Sequence, residues 1–330
     1  MVVFATVRDE ERDLARAVAA VLGQDYAGPL VFALAVGPSQ DATARIAAEL
    51  AAGDPRVVVV ENPTGLTPQG LNLAWRAGVA ASPEAAYLVR TDGHAELPQG
   101  YVATAVEVLE RTGADNVGGM MMPEGSGAVQ EAVARAMGHP VGLGGGTFHV
   151  GGGEGPAETV YLGSFRRTTL ESLGGFDEHW SRAQDWELNL RLRAAGHVVW
   201  FTPAMRVAYR PRADLGALRR QFHLTGRWRR EMVRLHPETA SVRYLAPPVV
   251  TVAVALGLVL GVLGFVTSAS WLALGLLAPA GYLLGVVGAA LVAGRGLRLG
   301  ALAVLPLVLA VMHLSWGSGF LRGLPRDRRA

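Results

Sequence analysis

The N-terminal part of the chain alternates short apolar runs with segments in which apolar residues recur at helical spacing. The apolar runs are VVFAT at 2–6, LVFALAV at 30–36, RVVVV at 56–60 and AAYLVR at 85–90. The first intervening segment opens at Asp9 and places Leu14, Val18 and Val21 on one face of a predicted helix. Repeated β-α units of this kind predict an α/β fold with a mostly parallel sheet sandwiched by helices.

The pattern changes after Tyr244, where apolar residues become almost continuous. Three runs, at 247–266, 271–293 and 299–321, lack Asp, Glu and Arg, and each has the length of about 20 residues that crosses a bilayer. They predict a C-terminal α-helical transmembrane region. We therefore divide the chain into a folded domain at 1–204, a basic segment at 205–244, a membrane domain at 245–322 and a basic tail at 323–330.

The arginines around the apolar runs give conflicting indications of orientation. If the folded domain is in the cytoplasm, Arg295 and Arg298 lie inside, as the positive-inside rule requires, but the tail after Arg322 lies outside. Either the tail is outside, or the third run, which contains Pro306 and His313, enters and leaves on one side. The N-terminus begins with a predicted strand and not with a signal peptide. We expect a multi-pass protein of the cytoplasmic membrane.

Composition excludes several kinds of chemistry. The chain has no cysteine, which excludes disulfides, thiolate nucleophiles and cysteine-ligated zinc. All 30 of its basic residues are arginine, which excludes a Schiff-base lysine and a P-loop. The glycine-rich run at 141–155 does not follow the first strand, as a dinucleotide-binding fingerprint must. We interpret that run as a mobile loop.

The fourth apolar run ends at two candidate metal ligands. Asp92 and His94 follow it in the stretch TDGHAEL. Open α/β sheets bind their ligands at the carboxyl ends of their strands, which is where these residues are predicted to lie. The alternative is a β-turn in which Asp92 bonds to nearby backbone.

Four motifs follow one another along the first part of the chain. They are ATVRDEERDLARAVAAVLGQDY at 5–26, TDGHAELPQGYV at 91–102, GGFDE at 174–178 and AQDWELNLRLRAAG at 183–196. Their order and spacing resemble those of the inverting family 2 glycosyltransferases with a GT-A fold. With the apolar C-terminal runs, the resemblance is closest to membrane-bound exopolysaccharide glycosyltransferases of the succinoglycan-biosynthesis type.

The resemblance implies a nucleotide-sugar donor bound with a divalent cation that Asp92 and His94 hold. A cation between the donor phosphates would stabilise the departing diphosphate. Relatives usually carry a second aspartate where this chain has His94. Because histidine is a better ligand for Mn²⁺ than for Mg²⁺, we expect Mn²⁺ to be favoured.

The resemblance also assigns nucleotide-sugar contacts to Thr6, Arg8, Glu10 and Asp92. Relatives commonly have acids that contact the base at the end of the second strand, where this chain has VG at 36–37. Base recognition is therefore expected to rely on other groups, and UDP is the nucleotide that the resemblance favours. The alternative for Thr6 and Arg8 is a solvated loop before the first helix.

The fourth motif supplies the candidate catalytic base, Asp185, near the start of a predicted helix. An inverting transfer needs a base within hydrogen-bond reach of the acceptor hydroxyl. The alternative for Asp185 is a helix N-cap, a role that can coexist with catalysis, and Glu187 is its nearest competitor as base. Gln184 and Trp186 flank Asp185 and are assigned to the acceptor side.

A basic segment precedes the first membrane run, with ten arginines against three acids from Arg206 to Arg243. Nucleic-acid binding is one interpretation. An amphipathic helix at the membrane surface, in contact with anionic lipid or a lipid diphosphate, fits the position better. Within this segment, Gln221, Arg227 and Trp228 resemble elements of processive polysaccharide synthases and are assigned to the acceptor or lipid side.

These features together predict a hexosyltransferase. It would transfer one sugar, with inversion, from a nucleotide-diphosphate sugar to a hydroxyl of a polyprenyl-diphosphate-linked glycan in exopolysaccharide or cell-surface glycan synthesis. The alternatives are transfer to polyprenyl phosphate itself and a catalytically silent scaffold for polysaccharide enzymes. Expected partners are the donor, the lipid-linked acceptor, the membrane and other polysaccharide-assembly proteins, and not nucleic acid. No apolar run precedes the folded domain, which favours single-sugar transfer over chain extrusion.

Overall fold

The computed structural model describes residues 1–325, which form one sheet and thirteen α-helices. The strands are β1 Val2–Val7, β2 Val31–Val36, β3 Val57–Glu61, β4 Tyr87–Arg90, β5 Asn116–Pro123, β6 Gly155–Pro156, β7 Tyr161–Arg166 and β8 Val199–Tyr209. The helices are α1 Leu14–Leu22, α2 Thr43–Gly53, α3 Thr67–Ala81, α4 Tyr101–Thr112, α5 Gly127–Met137, α6 Pro140–Leu143, α7 Thr147–Val150, α8 Arg167–Ser172, α9 Gln184–Ala194, α10 Leu215–Leu235, α11 Val242–Val266, α12 Leu277–Ala293 and α13 Leu299–Arg322. Most of the predicted basic tail lies outside the described residues.

The sheet has the strand order β3-β2-β1-β4-β7-β5-β8-β6. β1 pairs in parallel with β2 and β4, and β2 pairs in parallel with β3. β7 runs antiparallel to both of its neighbours, β4 and β5. The predicted α/β architecture is confirmed, and the reversal at β7 makes the sheet mixed. The parallel half brings the carboxyl ends of β1, β2 and β4 to one edge.

The first helix begins later than the sequence pattern predicts. The expectation that it opens at Asp9 is wrong, because Asp9 has a left-handed backbone (φ 56°) and α1 starts at Leu14. An Asp9 carboxylate oxygen accepts a hydrogen bond from the backbone N–H of Gln40, 2.8 Å away. Such side-chain bonds to the backbone compete with helix formation. The residues after β1 therefore form a loop at the carboxyl edge of the sheet.

The described chain packs as two compact units. The first consists of Met1–Met122 with Gly151–Tyr209, and the second of Pro123–Val150 with the chain from Arg210 onward. The segments predicted from sequence are contiguous and place 123–150 in the folded domain. The structure packs this stretch with the C-terminal helices, because α5 buries Ala132, Val133 and Ala136 and lies against α13.

The glycine-rich run that the sequence suggests to be a loop is partly helical. It contains most of α6, all of α7 and the first residue of the short strand β6. His313 on α13 fixes part of it, because the ring Nε2 lies 2.9 Å from the carbonyl oxygen of Val141. That carbonyl can only accept, so the Nε2 carries the proton.

Three helical segments of the second unit are long and apolar enough to cross a membrane. They are Val242–Val266, Ser270–Ala293 and Leu299–Arg322. The third is a single continuous helix despite its internal Pro306. The predicted C-terminal α-helical region is thus present, with three candidate spans.

Two glycines allow α10 and α13 to approach each other closely. A Cβ atom on Gly226 would lie 2.1 Å from the carbonyl oxygen of Trp316, and one on Gly319 would lie 1.9 Å from that of His223. Both distances are far below van der Waals contact, so any larger residue would push the two backbones apart.

The GGFDE motif is held in place by one buried amide, that of Asn72 on α3. Its Nδ2 donates to the Phe176 carbonyl at 2.8 Å, and its Oδ1 accepts from the Phe176 N–H at 2.9 Å and from Trp75 Nε1 at 3.2 Å. Gly175 has a positive φ of 85°, and a Cβ there would lie 2.4 Å from Asn72 Oδ1. The glycines of the motif therefore permit this close hydrogen-bonded turn.

We expect Asn72→Leu to lower the free energy of unfolding of the first unit by about 3 kcal/mol, because it leaves several buried polar groups unpaired. Thermal melting of the detergent-solubilised protein measures the effect. Gln40→Leu replaces an exposed amide and should change the melting temperature little. Equal melting temperatures for the two variants would contradict the role given to Asn72.

Candidate active site

Two carboxylates from distant parts of the first unit meet on one guanidinium group. Arg90, the last residue of β4, donates through Nη2 to Asp92 at 2.9 Å and through Nη1 to Asp185 at the start of α9. The two acids are separated by more than ninety positions in the chain. The Arg90 side chain is 8% exposed, whereas those of Asp92 and Asp185 are 26% and 37% exposed. The two carboxylates therefore face an accessible site, and the guanidinium group of Arg90 lies beneath them.

The surroundings of Arg90 exclude water. Burial alone would lower the pKa of Arg90, but the charges of Asp185 and Asp92 outweigh burial and raise it. Burial also raises the pKa of two neighbouring tyrosines, Tyr101 and Tyr161, so both hydroxyls stay protonated at neutral pH. A fully charged arginine in such a place requires paired anions.

Asp185 does not act as the N-cap of α9. The cap position is occupied by Ala183, whose φ is 65°, and Asp185 lies within the first turn. A carboxylate there is stabilised by the positive end of the helix dipole. The capping interpretation of Asp185 is therefore wrong, and its carboxylate binds Arg90 instead.

Glu187, the competing candidate base, is used in packing. Its side chain is 4% exposed and forms an ion pair with Arg191. Arg191 also donates to the carbonyl oxygens of Leu173 at 2.8 Å and Gly175 at 2.9 Å. The Glu187 pair thus links α9 to the GGFDE turn, away from a reacting group.

His94 has a fixed partner in Glu10. His94 Nδ1 lies 2.8 Å from Glu10 Oε1, and this hydrogen bond raises the pKa of His94. A carboxylate bound to one ring nitrogen is the usual arrangement behind a histidine that binds metal through the other nitrogen. Glu10, predicted from sequence to contact the donor, is thereby positioned as the partner of His94.

Asp92 and His94, the candidate metal ligands at this edge, would suit a cation that takes its further ligands from a bound molecule. Among residues 1–325, no three His, Asp or Glu side chains are grouped so that they could hold a metal by themselves. Asp92 uses one carboxylate oxygen for Arg90 and retains a second. With the second nitrogen of His94, this gives two protein ligands of the kinds that Mn²⁺ accepts.

The two predicted nucleotide contacts after the first strand differ in accessibility. The Thr6 hydroxyl donates to the Ala35 carbonyl at 3.3 Å and accepts from Asn62 Nδ2 at 3.4 Å, so it is engaged within the fold. Arg8 is 54% exposed and lies 3.6 Å from Asp9. Arg8 is therefore the better placed of the two for contact with a ligand.

The residues assigned to the acceptor side fall in both units. Gln184 and Trp186 flank Asp185 in the first unit, where Gln184 is 8% exposed and Trp186 is half-buried. Gln221, Arg227 and Trp228 lie on α10 in the second unit. Gln221 accepts from Arg212 at 3.2 Å, and Trp228 is 6% exposed.

Arg227 bonds to the end of α13, one of the candidate membrane spans. Its Nε donates to the Gly323 carbonyl at 2.8 Å, and Arg230 donates to the Phe320 carbonyl at 3.2 Å. The last carbonyls of a helix lack intrahelical partners, and cations stabilise them. The structure therefore gives Arg227 a role in closing α13.

Sequence reasoning missed Arg90. It belongs to an apolar run that ends a central strand, and charged residues are almost never fully buried unless paired. An arginine at the end of an apolar strand, two positions before an aspartate, is the sequence feature that indicates a buried ion pair. The sequence did not indicate that Asp185 would be its second partner.

We expect Arg90→Met to lower the free energy of unfolding by about 2 kcal/mol, because it leaves two half-exposed carboxylates without their shared cation. Combined with Asp185→Asn in a double-mutant cycle, the two changes should show a coupling energy of about 1–2 kcal/mol. Arg45→Met, which breaks an exposed pair with Glu49, should cost less than about 0.5 kcal/mol. Additive effects of Arg90→Met and Asp185→Asn in melting experiments would contradict the bridge.

Comparison with known proteins places these residues in a family. Residues 2–174 match the family model described as Glycosyl transferase family 2. Over 301 residues the chain is 33% identical to succinoglycan biosynthesis protein ExoA of Rhizobium meliloti (strain 1021), and the match covers 90% of this chain and 86% of that protein.

A solved structure shares the fold over nearly the whole chain. It is mannosyltransferase PcManGT from Pyrobaculum calidifontis in complex with GDP-Man and Mn²⁺, with a TM-score of 0.57 and 17% sequence identity. The match covers 97% of this chain and 86% of that one. From the family match and the identity to the Rhizobium protein, we conclude that the chain belongs to glycosyl transferase family 2.

Proposed function

We propose that this protein is an inverting hexosyltransferase that moves one sugar from a nucleotide-diphosphate sugar to a hydroxyl of a polyprenyl-diphosphate-linked glycan. The product would be a building block of an exopolysaccharide or related cell-surface glycan. The observation that carries the proposal is the meeting of Asp92 and Asp185 on Arg90 at the carboxyl edge of the sheet. Asp92 suits the side of the reaction that binds the nucleotide-sugar donor, and Asp185 suits the side that binds the acceptor.

Asp185 is the base in this proposal. Its accessible carboxylate takes the proton of the acceptor hydroxyl while that oxygen attacks the anomeric carbon from the face opposite the leaving diphosphate. Arg90 holds the carboxylate in position through a hydrogen bond that leaves the second oxygen for the acceptor. A rigid, buried partner of this kind reduces the motion that would otherwise misplace a base.

Asp92 and His94 would hold a divalent cation, with Mn²⁺ favoured. When bound, such a cation neutralises the donor diphosphate and stabilises its departure. Glu10 orients the His94 ring by its 2.8 Å contact with Nδ1. Arg8, exposed at the end of β1, is the residue that we assign to the donor phosphates or base, and UDP is the nucleotide that we favour.

The membrane helices support a lipid-linked acceptor. Three apolar helices of 24 or 25 residues are costly to maintain in water, and a soluble acceptor would not require them. We propose the cytoplasmic membrane as the location, with the catalytic unit in the cytoplasm, where nucleotide sugars are made. Other polysaccharide-assembly proteins are proposed partners.

The proposal is tested by incubating membranes that contain the protein with a panel of labelled nucleotide sugars, with and without a chelator, and extracting the lipid fraction. We expect one donor to give a labelled lipid-linked product that disappears with chelator. A label in polyprenyl phosphate itself would favour the simpler acceptor. No turnover of any donor, with a folded protein, would favour a scaffold.

We expect Asp185→Asn to lower glycosyl transfer by about 10²–10⁴-fold, because it removes the base and keeps the size of the side chain. Donor binding, measured by calorimetry with Mn²⁺, should be nearly unchanged. Asp54→Asn, which alters a surface carboxylate paired with Arg56, is the matched control and should transfer at the wild-type rate. A full rate for Asp185→Asn would withdraw the base assignment and favour a phosphate acceptor, which needs no deprotonation.

We expect Asp92→Ala to abolish turnover and to weaken Mn²⁺-dependent binding of the nucleoside diphosphate, measured by calorimetry. His94→Asp should keep activity and shift the preference towards Mg²⁺, because carboxylate oxygens suit that ion. Since the new acid would lie beside Glu10, the double variant with Glu10→Gln removes the like-charge repulsion and is the stricter test. If both His94 variants are inactive with every divalent metal, His94 is not a ligand.

A further inference from the structure

A cavity of about 420 Å³ lies entirely within the second unit. Its walls come from α6 and the glycine that follows it, one residue of α10, the first part of α11, and the facing sides of α12 and α13. This volume is within the range of sites that bind small molecules, about 300–1,000 Å³. Most of the wall belongs to helices that are apolar enough to cross a membrane.

The wall is apolar, and two of its polar side chains inside the candidate spans, Tyr282 and His313, lie within hydrogen-bond distance of each other. His313 uses Nε2 for the Val141 carbonyl, and its Nδ1 lies 3.4 Å from the hydroxyl of Tyr282. Because Nε2 donates its hydrogen bond, Nδ1 can accept one from the hydroxyl of Tyr282. Both ring nitrogens of His313 therefore have partners in the protein and are not left for water. An apolar wall of this kind suits an apolar ligand.

One end of the cavity is positively charged. Arg243, in the first turn of α11, lines the cavity, and no lining residue among those described is acidic. Arg243 and Arg229 both lie over the ring of Tyr244, at 4.4 Å and 3.6 Å from its centre. That ring stacks on Trp316, with a 4° angle between the two planes. Of these groups, Arg243, Tyr244 and Trp316 line the cavity and give it a cationic rim near the start of α11.

An apolar cavity with a cationic rim is complementary to a lipid with an anionic head. Such a lipid would place its chain against the wall and its phosphate against Arg243, where charged side chains reach the membrane surface. Among such lipids, the proposed function requires a polyprenyl lipid.

We propose that this cavity binds the phosphate-proximal isoprene units of the polyprenyl lipid that carries the acceptor, with Arg243 as the contact for the lipid phosphate. This inference rests on the proposed function for the identity of the lipid, but it concerns a site separate from the reacting groups. Gly285 on α12 lines the site, and a Cβ atom there would meet no atom within 4 Å. A larger side chain at 285 therefore has room without moving the helices, at a position that lines the cavity.

The test is photolabelling of the detergent-solubilised full-length protein with a diazirine-bearing polyprenyl phosphate, in the absence of any nucleotide sugar. We expect wild-type labelling on the segments that line the cavity. Gly285→Phe should reduce it by about tenfold, since filling a packed site with extra volume costs at least that factor in affinity. Gly288→Phe is the matched control, because it also projects into open space but does not line the cavity.

Two further arms separate the possible ligands. Arg243→Gln should weaken labelling by the polyprenyl phosphate and not by an uncharged polyprenol probe. An excess of phosphatidylglycerol should compete poorly with the polyprenyl phosphate; if it removes the label, the cavity is an ordinary phospholipid site and the proposal fails. Equal labelling of Gly285→Phe and Gly288→Phe also overturns it.

The outcome does not depend on catalysis. Labelling needs no donor and no sugar transfer, so a labelled cavity in a protein that transfers nothing would overturn the proposed function and leave the lipid site standing. Transfer to a polyprenyl-linked acceptor with unaltered labelling in Gly285→Phe would do the reverse. Ala289→Leu, which fills the cavity from the next turn of α12, serves as the second variant if Gly285→Phe does not fold.

Discussion

The need to neutralise a buried arginine organises the catalytic unit. Arg90 ends a central strand where water cannot reach it, and a charge in such a place is tolerated only with anions in contact. Asp92 supplies one from the turn that follows. The other comes from α9, which must begin close enough for Asp185 to reach across. The start of α9 follows from this requirement, whereas the GGFDE turn is fixed by Asn72 and by Arg191.

Arginine has a different use in the second unit. The excess of arginine before the first candidate span could be attributed to the charge of lipid head groups alone. Several of these side chains, however, form contacts within the second unit. Arg227 and Arg230 bind carbonyls at the end of α13, Arg229 covers Tyr244, and Arg234 pairs with Glu231, which is 2% exposed. Guanidinium groups do this well because their planar donors match carbonyls, carboxylates and rings.

The sequence allowed the fold class and the order of the first strands and helices to be predicted, because apolar periodicity reports burial directly. Asp92 and His94 could be found at the end of a strand for the same reason. The side chains that these residues contact could not be predicted from the sequence. The bond between His94 and Glu10 joins positions 84 apart in the chain, and Asp185 reaches Arg90 over 95. Periodicity reports which way a side chain faces and does not report what it meets. The packing of 123–150 with the C-terminal helices was missed on the same grounds, since α5 looks like any amphipathic helix.

The placement of α5 has a consequence for how the protein can be made. The chain leaves the first unit after Met122, contributes α5 to the second unit, and returns at Gly151. α5 packs on α13, which is synthesised more than 160 residues later. The buried face of α5 must therefore wait for α13 to be synthesised before it is covered, and contacts over such separations form slowly. Cutting the chain after Tyr209 would give a catalytic unit that still carries this helix with its apolar face bare, prone to aggregate. A soluble enzyme would require removal of residues 123–150 as well, with a short bridge from β5 to the segment that begins at Gly151.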